Sequence, residues 1–100
     1  MPYVRYNLIA FDSGKRDAMM PVLNRGLDKA NEIPGLRAVR AHFDTAQGAD
    51  TFGSDGNRLM IISFYDDKQT AEAARKRVKA DFSTLSEFVV GEPIVREGEI

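Results

Sequence analysis

Two stretches of this chain are apolar on both sides of an extended backbone, and no other feature limits the fold as tightly. YVRYNLIAF, residues 3–11, has strand composition, with Val4, Tyr6, Leu8 and Ala10 on one side and Tyr3, Arg5, Asn7, Ile9 and Phe11 on the other. RLMIISFY, residues 58–65, places Met60, Ile62 and Phe64 on one side and Leu59 and Ile61 on the other. A sheet with one wet face alternates apolar with polar residues, and these strands do not. Both faces therefore need a cover. One of them holds an arginine and an asparagine among apolar neighbours, where polar groups require partners.

The segments around these strands supply the cover. DSGKRDAMMPVLNRGLDKANEIPG follows a helical period, with Met19, Val22, Leu23, Leu27, Ala30 and Ile33 on one face, Asp12 or Ser13 as a cap, and Pro34-Gly35 as a stop. Pro21 deep inside a helix would cost about 3 kcal/mol, which predicts a helix that begins near Met19 or kinks there. Gly26 weakens it further. LRAVRAHF, 36–43, is a short strand. DTAQGADTFGSDGN, 44–57, is a run of turn formers around Phe52, long enough to be either a lid or a disordered excursion, and both readings stay open. DDKQTAEAARKRVKADFSTLSEFV returns to a helical period, with Asp66 or Asp67 as N-cap and Ala71, Ala74, Val78, Phe82, Leu85 and Val89 inward. Ser83 can cap a separate last turn. The basic run RKRVK, 75–79, reads as the wet face of that helix, since Glu72 precedes Lys76 by one turn. EPIVREGEI closes as an edge strand with Pro93 at its start.

The predicted class is α+β. The order β-α-β-β-α-β over residues 1–100 is the ferredoxin-like arrangement in one domain, a four-stranded antiparallel sheet with the first and third strands central. Both helices then lie on one face. The other would present Val4, Tyr6, Leu8, Met60, Ile62 and Phe64, more apolar surface than a soluble monomer exposes, which predicts a homodimer with the two sheets face to face. A monomer with loop 44–57 folded over the sheet is the alternative, but those mostly polar residues carry few apolar groups.

Charge and composition exclude several functions. Fourteen Lys and Arg against fifteen Asp and Glu leave a net charge of −1, no field to draw nucleic acid or an anionic membrane. There is no cysteine, so no disulfide, thiolate nucleophile or thiolate metal site. No apolar run approaches the about 20 residues that span a bilayer, and no basic segment leads into an apolar one at the N-terminus, so a cytoplasmic protein without membrane contact is expected. No metal-ligand spacing, phosphate loop or nucleophile-base pair is present, and neither metal nor cofactor is expected.

IPGLRAV leading into the second strand, ISFYDDKQTAEAA running from strand to helix, and the closing GEPIVREGEI together resemble the antibiotic biosynthesis monooxygenase (ABM-like) superfamily over nearly the whole chain. The resemblance implies a dimeric α+β barrel with a pocket between sheet and helices in each subunit. In some members it also implies cofactor-independent oxygenation of phenolic, quinol or polyketide-like aromatic compounds. Asn7 matches the first-strand asparagine of the haem-degrading branch, and Tyr65 stands where the superfamily often has a tryptophan. The histidine common on the next helix has no counterpart near Ala74, which argues against haem chemistry.

If the Asn7 face meets the helices, Tyr3, Arg5 and Asn7 join Ser63 and Tyr65 beneath them. An oxygenase without metal or flavin draws its electrons from the substrate once a proton has left, so its site must bind a ring, take a proton and steady an oxyanion. The expected catalytic residues are Asn7 as oxyanion donor, Tyr65 for stacking and hydrogen bonding, and His42, whose ordinary pKa lies near neutrality. Tyr3, Arg5, Ser63 and Phe52 are the expected substrate-binding residues. Structural roles compete with these: Asn7 can bond a neighbouring backbone group, and His42 shares parity with Arg40 on an edge strand, where exposure is common. A dimer of this fold that only binds a small ligand, in a stress-associated role or otherwise, is the alternative function.

Overall fold

The computed structural model describes residues 1–43 and 58–100 of the chain. The runs of β-branched and aromatic residues form β1 (Tyr3–Ala10), β2 (Leu36–Phe43), β3 (Arg58–Tyr65) and β4 (Ile94–Glu99). They pair antiparallel in the order β2-β3-β1-β4, with the two most apolar strands in the centre, as expected of a ferredoxin-like α+β fold. Register sets the chemistry of each face. Tyr3 lies opposite Tyr65, Arg5 opposite Ser63, and Asn7 opposite Ile61, while on the other side Arg5 meets Glu97 and Asn7 meets Val95.

A 3-10 turn (Ser13–Lys15) leads into α1 (Arg16–Ala30), which starts earlier than Met19, the first of the two expectations, and runs through Pro21. The proline sits on the exposed side and loses one backbone bond, while Met19, Leu23 and Ala30 are buried against the sheet and hold the helix in place. Asp12 caps the turn and not the helix: its Oδ1 accepts from the Gly14 amide at 3.0 Å, and Lys15, the cap position of α1, makes no side-chain cap bond. Gly26 has a packing reason, because a Cβ there would stand 2.7 Å from the Phe82 ring. Gly35 turns the chain at φ +80°, directly against Thr70.

α2 (Lys68–Asp81) is capped by Asp67, whose Oδ1 accepts from the Thr70 amide at 2.7 Å. That bond holds the Asp67 carboxyl below its ordinary pKa. The helix stops at Asp81, and a separate 3-10 segment (Ser83–Phe88) carries the buried Leu85 back toward the sheet.

Both helices lie on the face that bears Tyr3, Ile9 and Phe11. There Met19, Leu23, Ala71, Ala74 and Leu85 join Val39, Leu59, Ile61 and Tyr65 in one core. Phe11 meets Phe43 edge to face at 5.6 Å between centroids. On the opposite face Val4 is buried, and Tyr6, Leu8, Met60, Ile62 and Phe64 are half-buried. No helix among the described residues covers them, and none is long and apolar enough to cross a membrane.

Candidate functional site

A cavity of about 530 Å³ lies between the sheet and the C-terminal half of the α2 layer, within the usual size for a small-ligand site. Arg5, Asn7 and Ile9 of β1 and Ile61 and Ser63 of β3 form its floor. Val78, Phe82, Leu85 and Val89 form an apolar roof. Arg75, Lys79, Ser83 and Ser86 add polar groups from the helical side, and Pro93 and Val95 close the β4 side.

The floor is polar because of parity. Arg5 and Asn7 alternate with Ile9 on one face of β1, and the antiparallel register sets Ser63 beside Arg5. Arg5 is 4% exposed, and its Nε donates to Glu97 Oε2 at 2.8 Å. Its Nη2 has no hydrogen-bond partner, and the guanidinium lies 5.7 Å from the centre of the Tyr65 ring. Glu97 also accepts from the Tyr3 hydroxyl at 3.0 Å and from Arg75 Nη2 at 3.2 Å. The Arg5 hydrogen bond is the main reason its carboxyl sits below the ordinary 4.5. Burial, then the hydrogen bond to Glu97, pushes the Tyr3 phenol above its ordinary 10.0, so Tyr3 is a fixed donor here. Arg75 is shared: Nη2 also donates to Glu72 Oε1 at 3.1 Å, and this bond is the first cause of its raised pKa.

Arg5, Asn7 and Ser63 come together as the sequence predicts. The Asn7 amide makes no side-chain hydrogen bond among the described residues and is half-buried at the cavity wall, which disfavours the reading that it serves a neighbouring backbone group. Tyr3 stands behind Arg5 and reaches the site through Glu97. Tyr65 does not border the cavity: it is 1% exposed in the core, and its hydroxyl has no partner. His42 needs correction as a member of this site. It pairs with Met60 across the sheet and points away from the helices, exposed, because alternation along β2 puts Val39 and Ala41 inward. Phe52 and the whole 44–57 loop lie outside the described residues.

Sequence reasoning missed Glu97, Arg75, Lys79, Ser83 and Ser86. A signal existed for the two cations: Ala71, Arg75 and Lys79 follow at one-turn spacing along the flank of the buried stripe, so these charges border the core. Glu97 is 92 residues from Arg5, and only strand pairing unites them.

Among the described residues the cavity wall carries cations and neutral donors but no carboxylate or imidazole, and nowhere do three His, Asp or Glu side chains gather as a metal site. An apolar chamber with donors on its floor and along its helical side can orient a ring and hold an oxygen anion.

No family model matches the chain, and no curated protein matches it in sequence. Solved structures do. A candidate antibiotic biosynthesis monooxygenase from Nitrosomonas europaea superposes with a TM-score of 0.72 at 17% identity, over 98% of this chain and 88% of that one. A dimeric ferredoxin-like protein of unknown function from Thermobifida fusca gives 0.75 at 13%, over 100% and 92%. A variant of SnoaB, a cofactor-independent oxygenase from Streptomyces nogalater, gives 0.69 at 12%, over 95% and 90%. At these identities the likeness is one of fold, and it is the fold that the resemblance in sequence implies.

Proposed function

We propose that the protein is a homodimeric, cofactor-independent monooxygenase that oxidises a phenolic, quinol or polyketide-like aromatic compound in the cavity beneath α2. The observation that carries this reading is the convergence of Arg5, Asn7 and Ser63, from two adjacent strands, on the floor of a chamber of about 530 Å³ with an apolar roof. Such a site suits a ring whose hydroxyl or carbonyl oxygen becomes negative during reaction. The apolar roof holds the ring, and the Asn7 amide and the buried Arg5 guanidinium face the developing charge. For an anthrone-type substrate a ring CH₂ and O₂ become C=O and H₂O; the substrate supplies all four electrons, and the proton lost first passes to solvent. SnoaB, a cofactor-independent oxygenase, shares this fold.

The homodimer joins through Val4, Tyr6, Leu8, Met60, Ile62 and Phe64, the apolar strip on the sheet face away from the helices, and the Thermobifida fusca protein is a dimer with the same fold. Light scattering should give twice the chain mass of 11.1 kDa, and Ile62→Glu should halve it; a wild-type particle of 11.1 kDa overturns the dimer.

Oxygen consumption against a panel of quinols, anthrones and catechols tests the reaction. Uptake should exceed that of heat-inactivated protein, and Asn7→Ala should lower turnover by about 10²–10³ if the amide is an oxyanion donor. Uptake equal to the inactivated control overturns the oxygenase. Panel compounds that bind without oxygen uptake establish the second reading, a small-ligand-binding dimer, which is favoured by the lack of an imidazole or carboxylate in the described wall.

A further inference from the structure

We infer that the cavity selects a ligand with an anionic head on an apolar body, and that the Arg5 guanidinium on its floor, which Glu97 engages only through Nε, is what recognises it. This rests on the cavity being the ligand site, and goes further by naming the charge state of what enters.

The inference starts from an imbalance. Arg5 is a full charge on the central strand, 4% exposed, at the floor of an apolar chamber. A guanidinium withdrawn from water needs its donors satisfied. Glu97 takes only Nε, at 2.8 Å, and Nη2 is left without a partner. Glu97 is also the weaker half of this pair. Its carboxylate is divided among Arg5, the Tyr3 hydroxyl and Arg75, and it does not border the cavity. Glu72, which shares Arg75, does not border it either. The negative charges therefore stand behind the wall while Arg5, Arg75 and Lys79 stand in it. A ligand inside meets the buried charge of Arg5 at the floor and the more exposed Arg75 and Lys79 at the helical side.

The rest of the wall limits what kind of anion fits. Phe82, Leu85, Val78 and Ile61 offer no polar partner, so most of the ligand must be a hydrophobic frame, while Asn7, Ser63, Ser83 and Ser86 can join Arg5 around its anionic head. A hydrogen bond from a buried guanidinium to an anion is roughly twice as strong as one to a neutral acceptor, so charge state and not shape separates the best ligands. A carboxylate and an ionised phenol share this chemistry.

Isothermal titration of the full-length protein with paired probes separates the two. One arm compares 1-naphthoate with 1-naphthamide. The other compares 4-nitro-1-naphthol, whose ionisation is read by absorbance, with its methyl ether. Each anion should bind about ten- to a hundredfold tighter than its neutral partner, and the bound naphthol should ionise at a pH lower by about one unit or more. Preference in one arm alone identifies the head group.

Arg5→Met should abolish the preference. Because that variant can also fail to fold, Glu97→Gln provides a test in the opposite direction: it keeps the cation, removes its counter-charge, and should tighten anion binding several-fold. A structural role for Arg5 alone would not do that. Equal affinity for anion and neutral partner in both arms overturns the inference, as does unchanged anion affinity in Glu97→Gln. Oxygen uptake with neutral quinols in the same preparation would leave the oxygenase reading standing even then, so the two fail separately.

Discussion

The two halves of the helix layer pack the same sheet face in opposite ways. Under α1, Met19 and Leu23 are 1% and 2% exposed, and with Phe11 and Leu59 they fill the space completely. Under α2 the inward residues begin as Ala71 and Ala74, and the layer then breaks at Asp81 into the 3-10 segment that carries Leu85. Small side chains followed by a change of direction leave the chamber, and the polar stretch of β1, Arg5 and Asn7, lies beneath it and not beneath α1. One half supplies stability and the other gives up packing to make room, a division expected where a fold hosts a site.

Truncation should expose that difference most strongly. Leu23→Ala should cost about 2–5 kcal/mol in a urea melt, whereas Val78→Ala at the cavity roof should cost less than half as much, because its methyl groups already face open space. Equal losses would mean that the α2 half is packed as tightly as the α1 half.

Gly26 and Phe82 join the halves. Gly26→Ala places a Cβ 2.7 Å from the Phe82 ring, which lines the chamber and must shift. A net cost of about 1–2 kcal/mol is expected, less than the clash alone because alanine favours the helix, together with altered affinity for any cavity ligand. Affinity that does not change with the lost stability would separate the ring from the site.

Acid should act on the cavity half. The folded-state pKa of Glu97 is depressed, so its stabilising effect is complete above the ordinary 4.5 and is lost as pH falls through the lower folded value. Glu97→Gln should therefore flatten the acid limb of the stability profile below pH 4.5. Superimposable acid limbs for wild type and Glu97→Gln would remove the cluster from this account.

The smallest effect belongs to Tyr65. Its buried hydroxyl has no partner and does not reach the cavity, so Tyr65→Phe should change stability by no more than about 1 kcal/mol, in the stabilising direction, and leave turnover intact. A large fall in turnover would restore it as a catalytic group.

How far the site could be read beforehand differs from residue to residue. Asn7, Arg5 and Ser63 were legible because alternation along a strand is a local property, and placing one apolar run beside another fixes which polar residues share a face. His42 was legible only as one of two readings, exposure beside Arg40 or a catalytic place, because the face of an edge strand depends on register, and β2 carries an irregularity between Leu36 and Ala38 that turns both Leu36 and Val39 toward the helices. Pro21 misled because a proline penalty is local, while the burial of Met19 and Leu23 that overrides it is not.

The amino-acid sequence by itself determined the order of elements, the two central strands, the apolar face of each helix and the presence of polar groups under the helix layer, all of which follow from periodicity within a few residues. Only the tertiary structure decided that Glu97 would engage Arg5 through Nε alone, that Phe82 would press on Gly26, and that α2 would break at Asp81 to leave a chamber. Those outcomes depend on which distant residues fill the same volume, and pairing at separations such as the 92 residues between Arg5 and Glu97 is set by sheet register and packing and not by any local preference.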